Sequence, residues 1–289
     1  DGYITLEGAL SPEEVEFFSG EVDRIRMLPG WEPGRGEVPR GHYAWVDHAN
    51  PEPESFMDRR DLLPYHQAFI DLIDRPNVFD LIVDIMGPDL QFSMSQAIVR
   101  GGKDGFPGYT HTDGGPGQRR VRVTETSAPI ALKVMYLLTD VDGPDSGNFT
   151  IYPGSHMRSF PIDGDRAPHP HGPGAVQLTG KAGDAYVFSH SLWHGPAPNN
   201  TDNGRKTILY NYSQMFLRWY DYGGVVPEEI LSKCTPRQKR LLGDLGHDFR
   251  PGDYFYVPED QEAVIYQNPE IGNSAFFPGG VSSSWSADT

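Results

Sequence analysis

From residue 90 onward the chain is a succession of short apolar runs, each rich in β-branched and aromatic residues and each closed by Gly, Pro or Asp. The runs are Leu90 to Arg100, Ile130 to Thr139, Asn148 to Tyr152, Ala175 to Leu178, Ala185 to His190 and Lys206 to Phe216. No helical period interrupts them. Such a series buries its apolar faces only by packing sheet on sheet or by closing into a barrel. The 33 glycines and 26 prolines supply the turns that this requires.

Ahead of residue 90 the pattern differs. Asp1 to Leu10 forms a short strand. Ser11 as N-cap, Pro12 at the first helical position and Glu14 completing a capping box then start a helix. Its Val15, Phe18, Val22, Ile25 and Leu28 make one apolar stripe suited to lie on a sheet. Further helices are expected at about 61–73 and 76–86, the second ending at Gly87-Pro88. Residues 29–60 scatter Trp31, Tyr43 and Trp45 among Gly, Pro and charges, the composition of a long loop. After the β region come a short helix from about Pro227, another at Thr235-Pro236, and a Ser-rich tail expected to be mobile. No low-complexity linker divides the chain. The expectation is one domain over 1–289, mainly β with flanking helices: a helical part at 1–88, a β core at about 90–216 and a C-terminal extension at 217–289.

Composition narrows the class of partner. Forty acidic against 24 basic residues give a net charge of −16, which repels nucleic acid and anionic membranes. A small-molecule substrate is favoured instead. The single cysteine, Cys234, excludes an internal disulfide and a multi-cysteine zinc site, and fits a reducing, cytoplasmic setting. No run of eighteen apolar residues offers a membrane span.

Two segments carry the chemistry. In His111-Thr112-Asp113, residues i and i+2 of an extended chain point the same way, so an imidazole and a carboxylate can grip one ion. Alone this is weak, because a turn histidine beside a capping aspartate gives the same letters. The second segment, Gly183-Asp184 through His190 to His194-Gly195, delivers another histidine 83 residues later. Two neutral imidazoles and one carboxylate on one face of an iron ion leave three coordination sites, two for 2-oxoglutarate and one for dioxygen. Arg205, eleven residues after His194 across a turn-rich connection, supplies the planar cation that a distal carboxylate requires. Taken singly it is a surface ion-pair residue; the joint pattern is much harder to obtain by accident.

At these residues the sequence resembles the phytanoyl-CoA dioxygenase-like group of iron/2-oxoglutarate oxygenases. The resemblance runs from Asp1-Gly-Tyr-Ile-Thr-Leu-Glu-Gly-Ala-Leu-Ser through Gly87-Pro88, His111-Thr-Asp113 and Gly147-Asn-Phe-Thr-Ile-Tyr-Pro-Gly-Ser-His156. It continues through Gly183-Asp184 to His194 and Arg205, and ends in Leu231 to Leu242-Gly243. It implies a double-stranded β-helix, or jelly roll, with Fe(II) held by His111, Asp113 and His194 inside its open end. It implies oxidative decarboxylation of 2-oxoglutarate coupled to oxidation of an unactivated C–H bond. Asp113 in the carboxylate position favours hydroxylation over halogenation, with desaturation and ring closure open to the same chemistry. The family's hydroxyl residue two places after the distal histidine is here Pro196. Its usual tryptophan, counted back from the Pro153-Gly-Ser-His turn, falls on Tyr136. Tyr136 and Gln96 are therefore the further candidates for cosubstrate contacts.

His190, four before His194, lacks the His-Glu-x-x-His pattern of a zinc protease because position 191 is Ser; it suits a packed residue. His169-Pro-His171, in a Gly/Pro loop without a nearby carboxylate pattern, suits a solvated pair, and His156 a structural turn. Arg119, Arg120 and Arg122 form a basic cluster just after the metal motif. They either clamp an anionic substrate group or balance local acids in solvent. The rival functions are a jelly-roll binding protein that retains a metal site, and a metal-dependent isomerase or hydrolase. Arg205 discriminates against the first, since a plain binder needs no cosubstrate arginine at that spacing; succinate release coupled to oxygen consumption separates all three readings.

Overall fold

The computed structural model describes residues 1–28, 44–46, 56–114, 118–124, 127–161, 168–218, 221, 225–248 and 260–261. The chain opens with β1 (Tyr3–Leu6) and α1 (Pro12–Arg26), then β2 (Ala44–Val46), β3 (Met57–Arg60), α2 (Gln67–Asp71) and α3 (Val78–Met86). The strands β4 (Leu90–Arg100), β5 (Ala131–Leu137), β6 (Phe149–Ile151), β7 (Val176–Gln177), β8 (Ala185–Ser189), β9 (His194–Pro196) and β10 (Arg205–Gln214) follow. The short helices α4 (Glu228–Leu231) and α5 (Pro236–Leu241) come after them.

Local chemistry sets the helix starts. Ser11 accepts from the Glu14 amide while Glu14 returns a bond to the Ser11 amide, and Thr235 with Gln238 repeats the box ahead of α5. The expected helix at 61–73 shrinks to Gln67–Asp71. Pro64 disfavours helical geometry in the residue before it, and Asp61 takes a left-handed φ of 59°. The loop expected over 29–60 contains a strand pair, β2 with β3, and β3 continues the sheet by pairing with β4. The expected Ser-rich mobile tail lies outside the described residues.

The strands form two antiparallel sheets in a jelly roll. One has the order β1-β8-β5-β10-β4-β3-β2, the other β7-β6-β9. Alternation along β5 and β10 divides the large sheet into two working faces. Val134, Tyr136, Ile208, Tyr210 and Tyr212 face the helices and join Phe18, Val22, Ile25, Phe69 and Ile82 in the main core. Tyr210 donates its hydroxyl to the Phe69 carbonyl and Tyr212 donates to that of Ile73 at 2.7 Å, so both rings bury fully with their polar ends satisfied. On the other face Met135, Leu137, Tyr186, Phe188 and Leu209 meet Phe149 and Ile151 of the small sheet. Lys133 and Arg205 stand on that second face, while the buried Lys206 points the other way and meets Asp23 of α1 at 2.7 Å.

Candidate metal centre

Backbone pairing brings the two ligand segments together. His111 and His194 form an isolated antiparallel bridge, with amide-to-carbonyl bonds of 2.7 and 2.9 Å in the two directions. The Asp113 amide then donates to the His190 carbonyl at 3.0 Å. Close approach requires glycine at 195, where a Cβ would overlap the Tyr109 carbonyl oxygen. The imidazoles lie 4.4 Å apart between centroids. His111 Nε2 and His194 Nε2 stand 3.7 and 3.8 Å from Asp113 Oδ1. One ligand atom from each of the three residues falls within 4.8 Å of the others, and no second such group occurs among the described residues.

The donor set fits a divalent metal. His194 Nδ1 bonds the Leu192 carbonyl at 2.8 Å, which places the ring proton there and leaves Nε2 free to ligate. Phe149 and Phe188 flank that ring at 5.3 and 4.9 Å. Burial, then the adjacent His111, pull the His194 pKa down to about 3, so it is the neutral imidazole a metal needs. Burial pushes the Asp113 carboxyl up, but Lys133 and the two histidines outweigh it and hold the group well below the usual carboxylate range. His111 Nδ1 and Asp113 Oδ2 are buried with no hydrogen-bond partner among the described residues. Orphaned acceptors of this kind are what a bound cation satisfies.

Sequence reasoning missed Lys133. Its Nζ donates to Asp113 Oδ1 at 2.7 Å from the metal-facing side of β5. The available signal was a lone charge inside the apolar run Ile-Ala-Leu-Lys133-Val-Met-Tyr, since an unpaired lysine is rarely buried.

Arg205 begins β10 on the same face and is 4% exposed. Its Nε has no partner among the described residues, and Nη1 reaches only Met135 Sδ at 3.9 Å. Burial, and then the neighbouring Arg100, lower its pKa to about 10. Arg100, opposite it on β4, is by contrast neutralised by Asp104 at 2.6 Å and lies over the Phe106 ring at 4.0 Å. The interior thus holds a guanidinium with no counter-charge among the described residues.

The other sequence candidates divide. Tyr136 faces the helices, in edge contact with Tyr210 and inside the main core, and so cannot touch a ligand on the metal side. This corrects the expectation. A count that is one residue out moves a strand side chain to the opposite face, and the metal-facing position is Met135. Gln96 does face the metal side, where its amide donates to Asp58 Oδ1 at 2.7 Å. Arg120 is exposed, and Arg122 donates to Ser159 Oγ at 2.5 Å and to the Arg120 carbonyl at 3.0 Å. The Arg119 side chain lies outside the described residues. His190 is packed, its two ring nitrogens each 3.2 Å from a carbonyl, of Ala131 and Val121. His171 does meet a carboxylate, Asp145 at 2.7 Å, which belongs to a distant turn.

A jelly roll carrying two imidazoles, a carboxylate and a buried, unanswered guanidinium on its inner face defines the class of non-haem iron, 2-oxoglutarate-dependent oxygenases. Comparison with known proteins agrees. The chain belongs to the phytanoyl-CoA dioxygenase (PhyH) family, whose model matches residues 1–207. It is a 2-oxoglutarate-dependent non-haem iron dioxygenase. An ectoine dioxygenase of Nocardia farcinica is 25% identical over 242 residues, 74% of this chain and 75% of the relative. Dioxygenase af480 of Aspergillus fumigatus is 26% identical over 265 residues, 89% of this chain and 79% of the relative. Among solved structures, HygX from Streptomyces hygroscopicus with nickel and 2-oxoglutarate bound has a TM-score of 0.56 at 19% identity. The match covers 78% of this chain and 90% of that one. No helix among the described residues is long and apolar enough to cross a membrane.

Proposed function

We propose that the protein hydroxylates an unactivated C–H bond of a small-molecule metabolite, as a single oxygenase domain working in the cytoplasm. In this reading His111, Asp113 and His194 hold one Fe(II), and Arg205 takes the far carboxylate of 2-oxoglutarate. When bound, iron and cosubstrate supply the oxidant: one oxygen atom of O2 goes to succinate with loss of carbon dioxide, the other to the substrate as its new hydroxyl.

The chain's own residues do the rest. The Leu192 carbonyl fixes the His194 tautomer. Lys133 grips one Asp113 oxygen and so orients the carboxylate. Phe149, Phe188, Leu209 and Met135 dry the space between the metal group and Arg205, which strengthens every charge interaction inside it. A relative named for ectoine, and a HygX structure with hygromycin B bound, support a small-molecule substrate. So does the acidic net charge of −16.

The carrying observation is the pairing of a three-residue ligand group with a buried arginine that has no counter-ion among the described residues. The test loads the protein anaerobically with Fe(II) and 2-oxoglutarate, admits oxygen in the presence of a metabolite panel, and measures succinate against oxygen consumed. Matched formation and uptake, lost in His194→Ala, is expected. Metal-loaded protein that consumes no oxygen and forms no succinate with any metabolite overturns the proposal.

A further inference from the structure

Four polar side chains cross the metal-facing side of the large sheet on four adjacent strands. Lys133 lies on β5, Asn211 on β10, Gln96 on β4 and Asp58 on β3. Asn211 stands directly opposite Lys133 in the β10–β5 ladder. On its other side Asn211 pairs with Met94, so Gln96 is its diagonal neighbour. Gln96 then bonds Asp58 at 2.7 Å. The strip has an ammonium at one end, a carboxylate at the other and amides between, with Arg60 paired to Gln96 on the same face of β3.

Its internal bonds leave specific groups unused. Asn211 is 2% exposed, and its Nδ2 has no partner among the described residues. Burying such a donor without an acceptor destabilises the fold, so its retention calls for an outside acceptor. Lys133 gives one proton to Asp113 at 2.7 Å and has two more. When Asp113 neutralises a metal ion, Lys133 becomes a second cation beside it in a dry site, and a further anion is needed there. At the far end Gln96 donates to one Asp58 oxygen, and among the described residues no hydrogen bond reaches the other. Burial pushes the Asp58 carboxyl up, while Gln96, Arg60 and Lys133 draw it back, so the two ends of the strip sense each other.

The strip is separate from the cosubstrate arginine. Arg205 and Asn211 are six residues apart on β10, about 20 Å of extended strand. A dicarboxylate held at Arg205 leaves the Asn211 donor unanswered.

We infer that this strip recognises the primary substrate, and that the substrate is a zwitterion of amino-acid type. Its carboxylate is received by Lys133 and Asn211, and its ammonium by Asp58. A neutral polyol leaves the lysine with no anion beyond Asp113 and the cosubstrate, and a hydrocarbon leaves the Asn211 donor unanswered. The inference rests on the oxygenase reading above and names the substrate class for that site.

The test uses the full chain loaded with Ni(II) and 2-oxoglutarate, which binds without turning over. The twenty free L-amino acids, their N-acetyl derivatives and their C-amides are screened by saturation-transfer NMR, and hits are titrated by calorimetry. At least one free amino acid is expected to bind, with each capped form weaker by tenfold or more. In Lys133→Met the free acid and the C-amide bind within twofold of each other. In Asp58→Asn the free amine and the N-acetyl form do the same, and Asn211→Leu weakens binding about tenfold. Asp58→Asn touches none of the metal ligands, so it decides the matter even where Lys133→Met loses metal. Failure of every free amino acid to bind overturns the inference, as do equal binding of capped and free forms or discrimination that survives both charge substitutions. If 2-oxoglutarate itself fails to bind the wild-type protein, the oxygenase reading fails; if it binds and the discrimination is absent, only the substrate class does.

Discussion

Arg205→Met is expected to stabilise the cosubstrate-free protein while destroying its affinity for 2-oxoglutarate. The guanidinium is 4% exposed, lacks a counter-ion among the described residues, and has its pKa lowered to about 10 by burial and then by Arg100. For a cation, a pKa that falls on folding means the fold disfavours the charged form. The missing stability would return only as pH rose above about 10, where much else titrates. Substitution reaches the uncharged state at neutral pH. At about 1.4 kcal/mol per pH unit the burden is about 3 kcal/mol. Methionine keeps most of the aliphatic packing against Met135, so a net gain of about 2–3 kcal/mol is expected. At about 2–4 °C per kcal/mol for a chain of this size, Tm rises by several degrees. Binding moves the opposite way. Removing one partner of a buried charge pair costs about 2–5 kcal/mol, roughly a 30- to 4,000-fold loss of affinity. The assay is differential scanning calorimetry of metal-free protein, with calorimetric titration of 2-oxoglutarate into the Ni(II) form. A variant that melts below wild type, or that holds 2-oxoglutarate within threefold of wild type, refutes the reasoning: Arg205 would then have a structural partner and no need of a ligand.

Two further outcomes follow from the faces of the large sheet. Tyr136→Phe removes a hydroxyl that is buried on the helix side without a partner among the described residues, and should leave 2-oxoglutarate affinity unchanged with Tm equal or slightly higher. Met135→Ala, one residue away but beside Arg205, should weaken that affinity several-fold in the same titration. Gly195→Ala drives a methyl group into the Tyr109 carbonyl at the His111–His194 bridge. It should reduce metal loading at least tenfold, read by equilibrium dialysis with Ni(II).

What the sequence disclosed and what it concealed have the same physical origin. Capping at Ser11 and Thr235 is local chemistry, complete within four residues, and both boxes form as the letters suggest. The pairing of His111, Asp113 and His194 is non-local, yet an i, i+2 pair plus a histidine at a fixed distance from Arg205 is rare enough to stand out. Side-chain direction is less secure, because period-two alternation makes it depend on an exact count. Tyr136 and Met135 exchange faces on an error of one, and only packing against Tyr210 or Arg205 decides between them. Met-Asp-Arg-Arg at 57–60 carries no strand propensity, and β3 exists because β4 offers it an edge. Lys133 was visible as an oddity, but its partner lies 20 residues away and is invisible from either segment alone.

The two faces of β5 and β10 divide stability from chemistry. On the helix side Val134, Ile208, Tyr210 and Tyr212 sit at or near zero exposure, and each such side chain is worth about 1.5–3 kcal/mol of burial. On the metal side, within the same seven to ten residues of strand, stand Lys133, Arg205 and Asn211. Each is a polar or charged group that folding alone would exclude, and in each a donor remains for something the chain does not contain. A surplus on one face therefore sustains a deficit on the other. The deficit is functional, because a site whose groups were already satisfied would have nothing left to offer a metal, a cosubstrate or a substrate. The same logic separates the mutations: losses on the helix side should lower Tm and spare ligand affinity, while losses on the metal side should do the reverse.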